Sequence, residues 1–184
     1  MSSSPSSSNT RLQHKPYGLW SSPISASALA GQMRLMDVVA LEDGVVWVEG
    51  RGKQGMVVWQ QGVDAPRDLF TDQSARGGVG YGGGELAVHQ GHYYFSGSDG
   101  RLWTGSLESG SPRPLTPSFG RVASPAPSPD GTHVAYVHTV NGEDVIGLVD
   151  TKGKKWPVKI VEGADFYMQP AWYPEQTHLA WISW

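Results

Sequence analysis

Ser128-Pro129-Asp130-Gly131-Thr132-His133-Val134-Ala135-Tyr136 and Tyr173-Pro174-Glu175-Gln176-Thr177-His178-Leu179-Ala180-Trp181 match position by position. Each reads as a turn followed by a short strand centred on an aromatic residue. Two looser copies precede them, Asp43-Gly44-Val45-Val46-Trp47-Val48 and Gln90-Gly91-His92-Tyr93-Tyr94-Phe95. Aligned on Trp47, Tyr94, Tyr136 and Trp181, the copies fall 47, 42 and 45 residues apart. A period of roughly 40 to 50 residues with several strands per unit is the signature of propeller blades.

The other strands of each unit follow from turns and β-formers. Met56–Gln60, Arg101–Gly105 and Val145–Asp150 each follow an aromatic strand across a turn, the last across Asn141-Gly142, where both residues tolerate positive φ. Shorter outer strands are expected near Arg67–Phe70, Pro112–Leu115 and Pro157–Val161. The fold class is therefore all-β: a partial β-propeller of about three and a half four-stranded blades with Ser-Pro-Asp-Gly repeats. Blades are expected at about 36–72, 80–117 and 122–163, with a half blade at 165–184. A Ser/Pro-rich leader over 1–14 and a segment over 15–35 lead into them, and Ile24–Leu35 hints at a helical or irregular stretch. Because a closed propeller needs roughly 4 to 8 blades, the chain reads as a truncated piece with open blade edges.

Blades pack face to face, so large residues at one register fill the space between sheets. Trp47, Tyr94, Tyr136 and Trp181 are accordingly expected in the core rather than at a ligand. The composition supports the all-β reading: 24 Gly, 13 Pro, 8 Trp and 7 Tyr among 184 residues favour short strands and tight loops.

Net charge of −3 leaves no electrostatic footprint for nucleic acid or an anionic membrane. With no cysteine, disulfides, thiolate catalysis and Cys-ligated metals are excluded. No apolar run approaches the roughly 20 residues of a membrane helix, and Met1–Asn9 lacks the apolar core of a secretory signal. A cytoplasmic location is expected.

Chemical motifs are sparse. Gly78-Val79-Gly80-Tyr81-Gly82-Gly83 has the letters of G-x-G-x-x-G, but strands rather than a helix follow it, so no dinucleotide site is expected. No G-x-S-x-G occurs. His89 and His92, three apart on an extended chain, are expected on opposite faces. His133 and His178 occupy equivalent repeat positions, which points to a turn or blade-packing role. Asp43, Asp99 and Asp130 read as turn formers. No catalytic residue, cofactor or metal site is expected in this chain.

Several stretches resemble the N-terminal propeller of the prolyl oligopeptidase family of serine peptidases, in particular its bacterial dipeptidyl aminopeptidase/acylaminoacyl-peptidase branch. They are Pro16-Tyr17-Gly18-Leu19-Trp20-Ser21-Ser22-Pro23-Ile24-Ser25-Ala26, Val46-Trp47-Val48-Glu49-Gly50-Arg51 and Tyr81-Gly82-Gly83-Gly84. The Ser-Pro-Asp-Gly repeat is shared with TolB-type propellers. The resemblance spans about residues 16–184 and implies a propeller that gates and orients peptide substrates for a C-terminal α/β-hydrolase domain. That domain and the peptide are the expected partners, with self-association through open blade edges. The family commonly has His-Glu before Tyr-Gly-Gly-Gly; Val79 and Gly80 stand there instead, so any contact made by that Glu is not carried over. Arg76, Tyr81, Gly82, Gly83 and Gly84 remain as candidate substrate- or interdomain-facing residues. The alternative is a TolB-like propeller that binds a protein or ligand and carries no enzyme domain.

Overall fold

The computed structural model describes residues 14–19, 33–79 and 84–184. The chain divides into two compact units, Met1–Gln32 and Met33–Trp184. In the first, the Leu19 N–H donates to the Pro16 carbonyl at 3.1 Å across a turn with Gly18 at φ 82°. Most of the Ile24–Leu35 stretch lies outside the described residues, but Arg34 and Leu35 stand in a strand.

In the second unit, three antiparallel four-stranded sheets follow one another. The first blade is β1 (Arg34–Leu41), β2 (Gly44–Arg51), β3 (Gln54–Gln61) and β4 (Arg67–Asp68). The second is β5 (Leu86–His89), β6 (His92–Ser96), β7 (Leu102–Ser106) and β8 (Arg113–Pro114). The third is β9 (Arg121–Pro127), β10 (His133–Val140), β11 (Glu143–Asp150) and β12 (Val158–Val161). A hairpin, β13 (Tyr167–Trp172) with β14 (Leu179–Ser183), begins a fourth. No helix occurs among the described residues. The all-β partial propeller of three and a half blades is what the repeats predict.

Three apolar layers hold the blades together. Val46, Val48 and Trp59 of the first blade meet Tyr93, Phe95 and Trp103 of the second. Phe70, just past β4, stacks on Phe95 with ring centroids 4.6 Å apart. Between the second and third blades lie Tyr94, Leu102, Val134, Tyr136 and Val149. Ala135, Val137 and Ile146 then face Tyr167, and Trp172 Nε1 donates to the Ala126 carbonyl at 2.8 Å. Burying a side chain of this size contributes about 1.5–3 kcal/mol, so each layer couples neighbouring blades strongly.

The aromatic register differs from the expectation at two points. Counting from the residue that closes the preceding turn (Gly44, His92, His133 and His178), Trp47, Phe95, Tyr136 and Trp181 are equivalent. Phe95 thus takes the place expected for Tyr94. A shift of one residue flips a side chain to the other face, and Tyr94 fills the layer toward the third blade while Phe95 fills that toward the first. The second difference is burial. Tyr136 is 2% exposed, but Trp47 is only half-buried and Trp181 is 39% exposed, since no described sheet covers those faces.

Glycine makes room for the largest rings. Tyr93 pairs with Gly105 and Tyr136 with Gly147. A Cβ on either glycine would fall within 3 Å of the tyrosine ring. This cross-strand pairing of a bare backbone with a large ring lets the aromatic lie flat on its own sheet.

Candidate functional site

The innermost strands β1, β5, β9 and β13 run side by side along one edge of the blades. Three carry a bulge at the same register, opposite Trp47, Tyr136 and Trp181: Asp37 in β1, Ser124 in β9 and Gln169 in β13. Ser124 and Gln169 adopt left-handed φ of 52° and 51°, as extra bulge residues can, and bulges re-aim side chains. Glu85 holds the corresponding place just before β5.

Asp37, Glu85 and Ser124 are tied together through backbone groups around Gly77 and Gly84. Asp37 Oδ2 accepts from the Leu86 N–H at 3.1 Å and from the Glu85 N–H, tying the first blade to the second. The Glu85 carboxylate accepts from the Gly77 N–H, and the Glu85 carbonyl accepts from Ser96 N–H at 2.9 Å. The Ser124 N–H donates to the Gly84 carbonyl at 2.7 Å, and Arg121 donates to the Gly78 carbonyl at 2.8 Å. Gly77 is required by close approach: a Cβ there would sit 2.7 Å from Glu85 Oε2 and 2.8 Å from the Val122 carbonyl.

Burial pushes the Glu85 carboxyl above its ordinary range, and the nearby Asp37 charge adds to this; the Gly77 N–H and the Arg76 charge oppose it. Two buried hydroxyls, Ser96 Oγ and Ser124 Oγ, have no hydrogen-bond partner among the described residues. The group offers carboxylate and hydroxyl oxygens at the inner edge, but backbone N–H groups already occupy both carboxylates. Its evident work is to fix the two ends of the glycine-rich loop.

Of the residues singled out in the sequence, Tyr81, Gly82 and Gly83 lie outside the described residues. Gly84 sits beside Asp37, where a Cβ would meet Oδ2 at 3.5 Å. Arg76 is exposed and donates to the Lys53 carbonyl at 3.3 Å, in the β2–β3 turn. Val79 packs against the layer between the third blade and the last hairpin. Sequence reasoning missed Asp37, Glu85 and Ser124; their common bulge register emerges only from the strand pairing, and the fourth repeat carries Gln169 there instead of a carboxylate or hydroxyl.

The histidines also differ from expectation. His89 and His92 are directly paired across the Gln90–Gly91 turn, whose φ values are 48° and 73°. Directly opposed residues share a face, so the two imidazoles stand together. His133 and His178 each hydrogen-bond the preceding threonine hydroxyl, at 2.8 and 2.9 Å, the equivalent turn role expected. Among the described residues no group of three His, Asp or Glu could hold a metal ion, and no helix is long and apolar enough to cross a membrane.

Successive four-stranded meanders with inner strands side by side define a β-propeller. Over 92% of its length the chain is similar to a puromycin-hydrolyzing peptidase of Mycobacterium tuberculosis, with TM-score 0.76 and 31% identity. It is similar over the same share to a puromycin hydrolase mutant complexed with PGG, with TM-score 0.73 and 25% identity. The chain spans only 31% of the length of each. The resemblance to the N-terminal propeller portion of the prolyl oligopeptidase family therefore holds in three dimensions. A putative TolB from Agrobacterium tumefaciens matches 77% of this chain at TM-score 0.61 and 16% identity, which speaks for the fold alone. No known family's sequence profile matches the chain, and no curated protein does.

Proposed function

We propose that this chain is the propeller portion of a cytoplasmic serine peptidase of the dipeptidyl aminopeptidase/acylaminoacyl-peptidase branch. In that role it restricts access of peptide substrates to an α/β-hydrolase domain and orients them there. The observation that carries the reading is the match over 92% of this chain at 31% identity to a peptidase three times its length. Support also comes from the inner-edge network, in which Gly77, Gly78 and Gly84 are hydrogen-bonded to Glu85, Arg121 and Ser124 at the innermost strands. Arg76 and the loop residues Tyr81, Gly82, Gly83 and Gly84 are the surface offered to peptide or hydrolase domain. The chemistry belongs to the hydrolase domain, so this chain alone turns over no peptide-nitroanilide.

The test is the gene beyond the codon for Trp184. A following domain with G-x-S-x-G and a downstream acid and histidine is expected. A stop codon, or further blades and no hydrolase, would overturn the reading and favour a TolB-like binding propeller.

A further inference from the structure

A cleft of about 410 Å³ opens between the second and third blades, at the end where the β5–β6 and β9–β10 turns lie. Its size falls within the range of small-molecule sites. On a chain of net charge −3, its lining contains two cations, Arg113 and Lys152, the paired His89 and His92, and no carboxylate. Neither Arg113 nor Lys152 forms a salt bridge among the described residues.

Arg113 is nonetheless held in place. Its guanidinium donates to the Thr151 carbonyl at 2.6 Å and the Lys152 carbonyl at 3.5 Å, which leaves other N–H groups uncommitted. Those two bonds reach from β8 of the second blade to the end of β11 in the third, so the cation bridges the cleft. The Ser106 hydroxyl accepts from the Glu108 N–H and keeps its own proton to give, and Ser111 also lines the cleft. His89 Nε2 and His92 Nδ1 each donate to a backbone carbonyl, at 3.0 Å, leaving one nitrogen of each imidazole uncommitted. Two acids adjacent in sequence to lining residues are engaged. Asp130 accepts from Ser128 and Thr132, and Asp150 from the N–H groups of Lys152, Lys154 and Lys155. The Tyr94 ring and the bare backbone of Gly105 supply an apolar wall.

From these convergent donors and the absence of a competing carboxylate, we propose that the cleft binds the phosphate group of a small organic phosphate monoester. Guanidinium, ammonium and hydroxyl donors together match the several acceptor oxygens of a tetrahedral dianion. The volume beyond one phosphate, lined by Tyr94, takes the organic part.

Isothermal titration of the full 184-residue chain with phenyl phosphate, inorganic phosphate and acetate at fixed ionic strength tests this. Saturable binding is expected, tightest for phenyl phosphate and weakest for acetate. Each of Arg113→Ala and Lys152→Ala should weaken phenyl phosphate about tenfold, the loss of one charge-assisted bond. Lys159→Ala, whose ammonium pairs with Glu162 on an exposed edge, should leave it unchanged. The Lys152 side chain makes no hydrogen bond among the described residues, so its removal keeps the test clear of folding effects. Inorganic phosphate matching phenyl phosphate would support the phosphate site with the free ion as its source. Acetate binding as tightly as phosphate, no saturable binding, or equal affinity in the Lys152→Ala chain would overturn the proposal.

Discussion

In the turn joining β9 to β10, the Ser128 N–H donates to the His133 carbonyl at 2.8 Å and the Gly131 N–H to the Ser128 carbonyl at 2.8 Å. In the turn joining β13 to β14, Tyr173 N–H donates to His178 at 2.9 Å and Gln176 N–H to Tyr173 at 2.8 Å. Gly131 stands at φ 68° and Gln176 at φ 58°. The inner strands also bulge alike, at Ser124 and Gln169. Yet three residues on from this common frame, Tyr136 is 2% exposed and Trp181 39%. A turn is closed by bonds within six residues, so a short pattern can specify it twice with different side chains. Burial is conferred by the neighbouring sheet. Tyr136 lies against Tyr94 and Leu102 of the second blade and opposite Gly147 on β11, whereas no described strand pairs with the free side of β14.

The widest gap between the two copies should appear when each aromatic is truncated. Tyr136→Ala is expected to cost about 3–5 kcal/mol, as for other fully buried rings. Trp181→Ala should cost about 1 kcal/mol. Urea denaturation midpoints measure both, and equal losses would mean that Trp181 is buried in solution. Next comes Gly147→Ala. Its Cβ would approach the Tyr136 ring to 2.8 Å, so overpacking of about 1–3 kcal/mol is expected. The same midpoint series would expose an error, since a silent Gly147→Ala would show that the ring has room to move.

The two turns can also be set against each other through their left-handed residue. Gly131→Ala should destabilise by about 1 kcal/mol, because glycine alone takes positive φ without cost. Gln176→Gly should stabilise by about 0.5 kcal/mol, the relief of a strained side chain less the added freedom of the unfolded chain. Opposite signs in thermal melts are the expected outcome; the same sign would mean that the turns differ in backbone after all.

What the sequence discloses follows the same division between local and non-local causes. The middle strands β2, β6, β10 and β14 and the turns before them are readable because β-formers follow turn residues directly. The inner strands β9 and β13 are not, since Pro125, Pro127 and Pro170 speak against a strand until one knows that it lies at a sheet edge. The first of them, β1, is obscured at its start, where the sequence around Leu35 hints at a helical or irregular stretch. Tyr93-Tyr94-Phe95 offers three aromatics in a row, and nothing local says which matches Trp47; the register is settled by the pairing of Leu86 with Phe95. The inner-edge group joins Asp37 to Glu85 across 48 residues, and its partners come from different blades. Of the candidate residues, Gly84 could be picked out by the Tyr-Gly-Gly-Gly motif, but the carboxylates that bond to the loop's ends could not.

Asp130 and Glu175 provide the finest contrast. Asp130 accepts from the Ser128 hydroxyl at 2.6 Å and from the Thr132 N–H at 3.0 Å. Glu175, at the same place in the fourth repeat, makes no such bonds in its turn. The Ser128 hydroxyl bond, then the Thr132 N–H and hydroxyl, hold the Asp130 carboxyl down at about 2 from an ordinary 3.8. With the folded value the lower one, the unfolded chain binds more protons between the two. The stabilisation from Asp130 is therefore fully present above about pH 4 and is lost as pH falls through about 2. Asp150 responds in the same direction: burial pulls its carboxyl up, but the N–H groups of Lys155, Lys154 and Lys152 outweigh this and lower it. Melts of the native chain will thus show both acids together, and only the difference from Asp130→Asn isolates one. That difference should be a reduced melting temperature at pH 6 that shrinks toward zero by pH 2. Glu175→Gln should show no difference at either pH. A pH-independent gap for Asp130→Asn would place its contribution in packing rather than in the charge-assisted turn, and the contrast between the two copies would then rest on the aromatics alone.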